Sequence, residues 1–339
     1  MTRKQEEDQS PIIFYYLEEL VHRDVFCKLL AQRFRERGHE RKIEFRLWDC
    51  YGNEPGRDGD LFAYDGMVMS ALVKKGFLHQ LPDIIDISGV FDWIYSGSRV
   101  RGQVYGIPFM LCGSFLICHR RDYIPFRNAY DLRGGLTTTL CDAILPYLYL
   151  YAFCNYQEGD QRALEAVSRF YQMNGGEKVF NRTNTLEENL RRFIDGECRY
   201  LLGFSEDIRY LPPDDYAVEP INVSDNARNE MPFLFCDYIS MGSKVAGEKL
   251  LDCLDLMEIM VDPDFVFDIC MATGKPQYMI PADRRVYPRL MEIAPVYQDL
   301  YQIVSNPENL VMRYGEDFYT DFPRFKEELV SGLKNGKSR

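Results

Sequence analysis

Short apolar runs alternate with helical patterns through the first 76 residues, and this alternation constrains the fold more than any other feature of the sequence. The runs at 12–17, 43–48 and 60–65 read as strands, whereas residues 22–36 and 66–75 read as helices. Strands that alternate with helices in this way predict a mostly parallel sheet with helices packed on it. The sequence therefore predicts an α/β fold.

Two further apolar runs meet at Gly113 and Ser114, within residues 105–118. Small residues at this point let the backbone come close to a bound ligand, so the segment reads as a crossover between two lobes. The chain crosses back near residue 230 and finishes with a helical pattern. Two crossovers between lobes are the plan of type II periplasmic-binding-protein folds, in which the ligand lies in the cleft between the lobes.

The length of the chain agrees with two lobes, because 339 residues exceed the usual size of a single domain. We expect residues 1–115 and 235–339 to form lobe 1 and residues 116–234 to form lobe 2. Tyr51 and Asp65 lie at or just after predicted strand ends. Ligands of open α/β sheets bind beyond such ends, so both residues are candidates for the cleft.

The charge balance narrows the class of partner. The sequence has 40 Lys and Arg residues against 52 Asp and Glu residues, a net charge of −12. This charge disfavours nucleic acid and anionic membrane surfaces and suits a cationic small molecule. The N-terminus lacks the apolar core of a signal peptide, and no run approaches the roughly 20 apolar residues of a membrane span. We therefore expect a cytoplasmic protein, or a secreted one if a signal has been removed.

Ten cysteines are scattered along the sequence without a CxxC pair, which indicates neither a zinc site nor a redox motif and fits a reducing compartment. Cys112 is the candidate nucleophile because it lies in the crossover segment, although most thiols in apolar runs are simply buried. A reactive thiol needs a base or a positive neighbour. His119, an odd number of residues further on, falls on the opposite face of a strand. Glu206, after the apolar run 201–204, is the better base.

Four carboxylates lie in or directly beside apolar runs: Asp65, Asp92, Glu206 and Asp237. For any one of them, a solvated strand end is the simpler interpretation. Four such residues at predicted strand ends or crossovers together favour a cleft that receives a cation.

These motifs resemble the thiaminase I (thiamine pyridinylase) family. Its nucleophile segment runs Tyr-Gly-Ile-Pro-x-x-x-Cys, which matches Tyr105-Gly106-Ile107-Pro108 and Cys112. Further matches follow the family order over residues 12–240, and they are Asp49-Cys50-Tyr51, Phe62-Ala63-Tyr64-Asp65, Gly203-Phe204-Ser205-Glu206 and Phe235-Cys236-Asp237.

The resemblance implies a transferase in which a cleft cysteine attacks the pyrimidine of thiamine, and an amine or thiol replaces the thiazole. It implies that Cys112 is the nucleophile and Glu206 the base, with no metal or organic cofactor. The substrate-binding residues that it implies are Tyr16, Tyr51, Asp65, Asp92, Phe204, Phe235 and Asp237.

Phe204 and Phe235 stand where the family usually has Tyr, so two ligand-binding hydroxyls are absent from these positions. Because mismatched polar groups discriminate strongly, we expect a less polar or differently substituted pyrimidine as the substrate. Two functions remain open from the sequence. One is a thiaminase I-like transferase, and the other is a non-catalytic binding protein for thiamine or another cationic small molecule.

Overall fold

The structure is a computed structural model that describes residues 10–18, 20, 22–82, 85–123, 132, 135–156, 160–221, 223 and 233–334. Two features of the sequence lie outside the described residues. They are the segment 1–9, which bears on the secretion signal, and most of the return crossover expected near residue 230.

Strands and helices alternate along the chain, as the apolar pattern predicts. The strands are β1 (Ile12–Leu17), β2 (Ile43–Trp48), β3 (Leu61–Asp65), β4 (Arg99–Val100), β5 (Gln103–Val104), β6 (Ile107–Cys112), β7 (Ser114–His119), β8 (Leu136–Thr138), β9 (Tyr200–Phe204), β10 (Tyr216–Pro220), β11 (Phe233–Met241), β12 (Ile280–Pro281) and β13 (Leu310–Val311). The helices are α1 (Arg23–Glu36), α2 (Met69–Lys74), α3 (Asp92–Ser96), α4 (Leu145–Tyr156), α5 (Asp160–Met173), α6 (Leu186–Ile194), α7 (Glu248–Val261), α8 (Pro263–Cys270), α9 (Tyr287–Ile293), α10 (Val296–Val304) and α11 (Phe318–Lys334).

The first sheet has the strand order β12-β6-β11-β3-β1-β2, and β13 pairs with β11 at its side. β1 runs parallel to both β2 and β3, as predicted. β11 lies between β3 and β6 and is antiparallel to both, so the prediction of a mostly parallel sheet is wrong for this half. The reason is that β11 follows the strands of the second sheet and enters the first sheet in the opposite direction.

The second sheet has the order β10-β7-β9-β8. β7 is antiparallel to both of its neighbours, whereas β8 and β9 are parallel. This four-stranded sheet is therefore mixed as well, and β7 and β9 are buried on both faces at every position but the last.

The chain passes from the first sheet to the second at Gly113, which separates β6 from β7. A Cβ atom at this position would lie 2.6 Å from the Cδ2 atom of Leu234, so a larger residue would have to displace this buried side chain of β11. The lobe limits expected from the sequence stay a prediction. α10 packs against β10 of the second sheet and α11 packs against α4, although both helices come after β11, where the chain has returned to the first sheet.

Two general features of the described residues bear on the sequence analysis. The cysteines whose side chains the structure describes, which include Cys112 and Cys236, are free thiols. Within the described part of the chain, no helix combines the length and the apolar character needed to cross a membrane.

Candidate active site

A cavity of about 480 Å³ lies between the two sheets. The first sheet and its connections contribute Leu17, Leu20, Tyr51, Asp65, Met110, Leu111, Cys112, Phe235, Asp237 and Met279. The second sheet and its connections contribute Ser114, Leu140, Ala143, Ile144, Tyr147, Phe204, Glu206, Asp207 and Arg209. The structure thus brings together seven of the nine residues predicted for the site, and they are Tyr51, Asp65, Cys112, Phe204, Glu206, Phe235 and Asp237.

Two of the carboxylates face each other across adjacent strands. Asp65 is the last residue of β3, and it stands directly opposite Asp237 of β11 in the antiparallel register. Both side chains line the cavity. Like charges directly opposite one another in a sheet are destabilising, so this pair favours a cation in the cavity.

Hydrogen bonds hold the Asp65 side chain in place. Its Oδ2 atom accepts a 2.6 Å hydrogen bond from the Tyr51 hydroxyl, and its Oδ1 atom accepts one of 2.8 Å from the Met67 backbone N–H. Burial, followed by the charge of Asp65, raises the pKa of Tyr51 well above its ordinary value. Tyr51 therefore stays protonated and acts as a hydrogen-bond donor to Asp65.

Cys112 ends β6 and lies opposite Phe235 in the register of β6 with β11. Its side chain is half-buried and lines the cavity. Burial raises the pKa of the Cys112 thiol well above its usual value, and the nearby carboxylates, Glu206 first, raise it further. The thiol is thus protonated in the empty cavity, and it becomes a nucleophile only if a base takes its proton.

Glu206 belongs to a 3-10 segment, Ser205–Tyr210, that follows directly after β9. It does not close the strand itself, which ends at Phe204. Burial raises the pKa of Glu206 to about 7, although the Ser205 hydroxyl donates a 3.0 Å hydrogen bond to its Oε2 atom. A carboxyl group with a pKa near neutrality is suited to exchange protons with a bound reactant.

Tyr16 is not among the residues that line the cavity. Its ring is buried against the rings of Phe26 and Phe45, at centroid distances of 6.3 and 6.0 Å. Alternation along β1 sends Leu17 to the cavity instead.

Asp92 also lies outside the cavity lining. It is exposed in the first turn of α3, where a carboxylate interacts favourably with the helix dipole. The apolar run beside it is the buried face of this short helix, which includes Trp93 and Ile94. The structure therefore corrects the expectation that Asp92 faces the cleft.

His119 is separated from Cys112, but for a different reason from the predicted alternation along one strand, because Cys112 ends β6 of the first sheet and His119 ends β7 of the second. Its Nδ1 atom lies 2.8 Å from the Asp214 carboxylate, and its ring stacks on Phe193 at 5.3 Å. The candidate bases on the second-sheet wall are therefore Glu206 and Asp207, and the Oδ2 atom of Asp207 already accepts hydrogen bonds from the Thr139 hydroxyl and the Phe204 backbone N–H.

Sequence reasoning missed several residues of the lining. Tyr147, in the first turn of α4, packs edge-on against Phe235 with ring centroids 5.2 Å apart. The hydroxyl-bearing side chain of Tyr147 therefore lies next to Phe235, the position at which the family usually has Tyr. Asp207 and Arg209 lie in the same 3-10 segment as Glu206. Their positions next to the Gly-Phe-Ser-Glu motif were the available signal.

The described residues contain no group of three or more His, Cys, Asp or Glu side chains arranged to hold a metal ion. The titratable side chains that line the cavity are a thiol, four carboxyl groups, two tyrosine hydroxyls and a guanidinium group.

Comparison with known proteins shows which group of two-lobed proteins this chain is similar to. No family model matches the sequence. The chain is 28% identical over 335 residues to Thiaminase-1 of Paenibacillus thiaminolyticus, an alignment that covers 86% of this chain and 80% of that protein. This chain is a homologue of thiaminase I. The resemblance predicted from its motifs is thereby confirmed.

Solved structures confirm the fold. The structure of Clostridium botulinum thiaminase I in complex with thiamin has a TM-score of 0.83 and 22% identity, and the match covers 95% of this chain and all of that chain. The maltose-maltodextrin binding protein of Alicyclobacillus acidocaldarius has a TM-score of 0.70 and 11% identity, with 96% of each chain covered. The thiaminase I homologue thus has the two-lobed type II binding-protein architecture predicted from its crossovers.

Proposed function

We propose that this chain is a thiaminase I-like transferase that acts on thiamine or a closely related pyrimidine compound. The thiol of Cys112 adds to the pyrimidine, the bond from the pyrimidine methylene carbon to the thiazolium nitrogen breaks, and an amine or thiol takes the place of the thiazole. The observation that carries this proposal is that Cys112 and Glu206, some ninety residues apart in sequence, line one cavity.

The charges of the cavity support a cationic substrate. The opposed carboxylates Asp65 and Asp237 are partners for a thiazolium ion or a protonated aminopyrimidine. A positive charge beside Cys112 also lowers the pKa of its thiol, which offsets part of the increase caused by burial. Substrate binding and formation of the thiolate therefore favour each other.

Glu206 is the proposed base. Its pKa of about 7 leaves a substantial carboxylate fraction at neutral pH, and this carboxylate accepts the thiol proton of Cys112. When the acceptor amine or thiol enters, the same group takes its proton. Phe204 of the second sheet and Phe235 of the first sheet support a pyrimidine with few polar substituents where it contacts these rings.

Mass spectrometry of the intact protein tests the proposal. After incubation with thiamine and no acceptor, we expect a pyrimidine-sized adduct and free thiazole. Cys112→Ala should abolish both. Cys236→Ala is the matched control, because Cys236 is fully buried on the opposite face of the neighbouring strand. Its adduct should equal that of the wild-type protein. An unmodified wild-type protein that releases no thiazole from thiamine or its analogues would contradict the proposal.

A second candidate function is binding without chemistry, and the raised pKa of the Cys112 thiol favours it. A binding protein would gain thermal stability from thiamine, and its Cys112 would resist alkylation by iodoacetamide whether or not thiamine is present. The proposed transferase would instead form the adduct and show faster alkylation of Cys112 at pH values above the pKa of Glu206.

A further inference from the structure

The cavity wall that belongs to the second sheet carries a cation that the chemistry described above does not use. Arg209 lines the cavity together with Glu206. Both residues belong to the 3-10 segment Ser205–Tyr210. Side chains three residues apart eclipse one another in a 3-10 helix, so these two project from the same side of the segment. The guanidinium group therefore stands beside the proposed base.

The contacts of Arg209 leave part of its donor capacity unused. Its Nη2 atom donates a 2.6 Å hydrogen bond to the Tyr210 hydroxyl, and its Cζ atom lies 4.5 Å from the centre of that ring. Its Nη1 atom is buried and has no hydrogen-bond partner among the residues that the structure describes. A buried donor without an acceptor is unfavourable, and a ligand oxygen would relieve that cost.

The two walls of the cavity consequently differ in the charged groups that they carry, because Arg209 adds a cation to the carboxyl groups of the second-sheet wall. The first sheet presents the opposed carboxylates Asp65 and Asp237, which suit the cationic substrate. Burial raises the pKa of Glu206 and of Asp207, and the positive charge of Arg209 opposes part of this increase, so its charge reaches this end of the cavity. A guanidinium group presents paired N–H donors that match the geometry of a carboxylate, sulfonate or phosphate.

We propose that Arg209 binds an anionic oxygen group of a reactant, and that this reactant is the incoming nucleophile. The inference rests on the proposed function, because it concerns the second substrate of the transfer. A thiol or amine whose acidic group is bound by Arg209 has its reactive atom close to Glu206, the neighbouring side chain on the same segment. Arg209 is thus a specificity-determining residue that selects nucleophiles carrying an anionic group.

With a thiol as the acceptor, the transfer balances without a further reactant. The bond from the methylene carbon to the thiazolium nitrogen breaks, and its electron pair stays on nitrogen to give a neutral thiazole. A bond forms from the same carbon to the acceptor sulfur, and Cys112 leaves the ring as a thiolate and takes back the proton that Glu206 held. The ionised Glu206 takes the acceptor proton and later releases it to solvent. The thiamine cation and the thiol thus give a thioether, a thiazole and a proton.

Two acceptors of equal length test this inference, namely 3-mercaptopropionate and 3-mercapto-1-propanol. For each protein we compare the ratio of their kcat/KM values with thiamine as the other substrate. In R209Q we expect this ratio, acid over alcohol, to fall by about tenfold or more, the size of one charge-assisted hydrogen bond. R209K should retain part of the preference. Any effect of Arg209 on the pKa of Glu206 cancels in the ratio, and an unchanged ratio overturns the inference.

A second experiment distinguishes the two reactants that could carry the anionic group, namely the nucleophile and the thiamine compound. Thiamine monophosphate carries its anionic group on the departing thiazole, so its kcat/KM is compared with that of thiamine, with the alcohol as acceptor. If R209Q affects only this second ratio, the assignment to the nucleophile is overturned.

Failure of the proposed function would look different, because the wild-type protein would then release no thiazole with any acceptor. The anion site is tested in that case by calorimetric titration of 3-mercaptopropionate into wild-type and R209Q protein. Equal binding by the two proteins overturns the inference, and weaker binding by R209Q supports the site itself.

Discussion

The two walls of the cavity hold their acidic groups in different ways. On the first sheet, Asp65 and Asp237 extend from paired strands, and Asp65 accepts two hydrogen bonds that fix its side chain. On the second sheet, Glu206 extends from a 3-10 segment, and its burial raises its pKa to about 7. The contrast is the basis of the proposed division of roles, in which the carboxylates on the strands bind a cation and Glu206 on the 3-10 segment exchanges protons.

Replacing Glu206, the proposed base, should give the largest effect on catalysis. We expect Glu206→Gln to lower kcat by about 10²–10⁴-fold, the usual contribution of a general base, with a small change in KM. A carboxylate base works when it is ionised, so the wild-type rate should rise as the pH increases through about 7. The variant should lack this limb of the pH profile. Steady-state kinetics between pH 5 and 9 measures both quantities, and a normal kcat with a raised KM would assign Glu206 to recognition.

Removing a charge from the wall that recognises the substrate should act on affinity instead. In a Cys112→Ser background, we expect Asp237→Asn to weaken thiamine binding by about 10–100-fold, because it removes one partner of a charge pair at a partly buried site. Asp92→Asn removes an exposed carboxylate of the same kind outside the cavity and is the matched control. Isothermal titration calorimetry measures both affinities. Equal effects of the two substitutions would mean that general electrostatic attraction, and not the opposed pair, binds the cation.

The smallest expected effect is on the stability of the folded protein. The pKa of Glu206 is about 7 in the folded protein against 4.5 for an ordinary Glu, so between these values the folded state binds more protons than the unfolded state. Stability is therefore lost as the pH rises through this window. Glu206→Gln should be more stable than wild type by roughly 1–3 kcal/mol at pH 8 and nearly equal to it at pH 4. Urea unfolding at both pH values provides the measurement, and a difference that does not depend on pH would contradict it.

Local sequence patterns were sufficient to predict the first strands and the crossover between the sheets. The period of apolar residues predicted β1 and β2 at the bounds that the structure has. The interruption at Gly113 predicted where the chain leaves the first sheet. The prediction of a mostly parallel sheet was wrong for β11. The direction of a strand that returns from another sheet depends on the path of the chain and not on its own residues.

The site was predictable where a sequence motif marked a residue and harder to predict where packing decided the direction of a side chain. Cys112, Glu206 and Asp237 line the cavity, as their motifs suggested, but their chemical roles stay predictions. Tyr16 is held away by neighbouring rings. Tyr147 reaches the cavity because α4 packs close to Phe235, a contact between residues 88 positions apart that no local pattern records.

Gly113 has a mechanical consequence. It is the single residue between Cys112 and Ser114, which belong to different sheets. The single residue Gly113 therefore also limits how far apart Cys112 and Ser114 can lie, so the candidate nucleophile and a residue of the second sheet remain neighbours in the cavity lining.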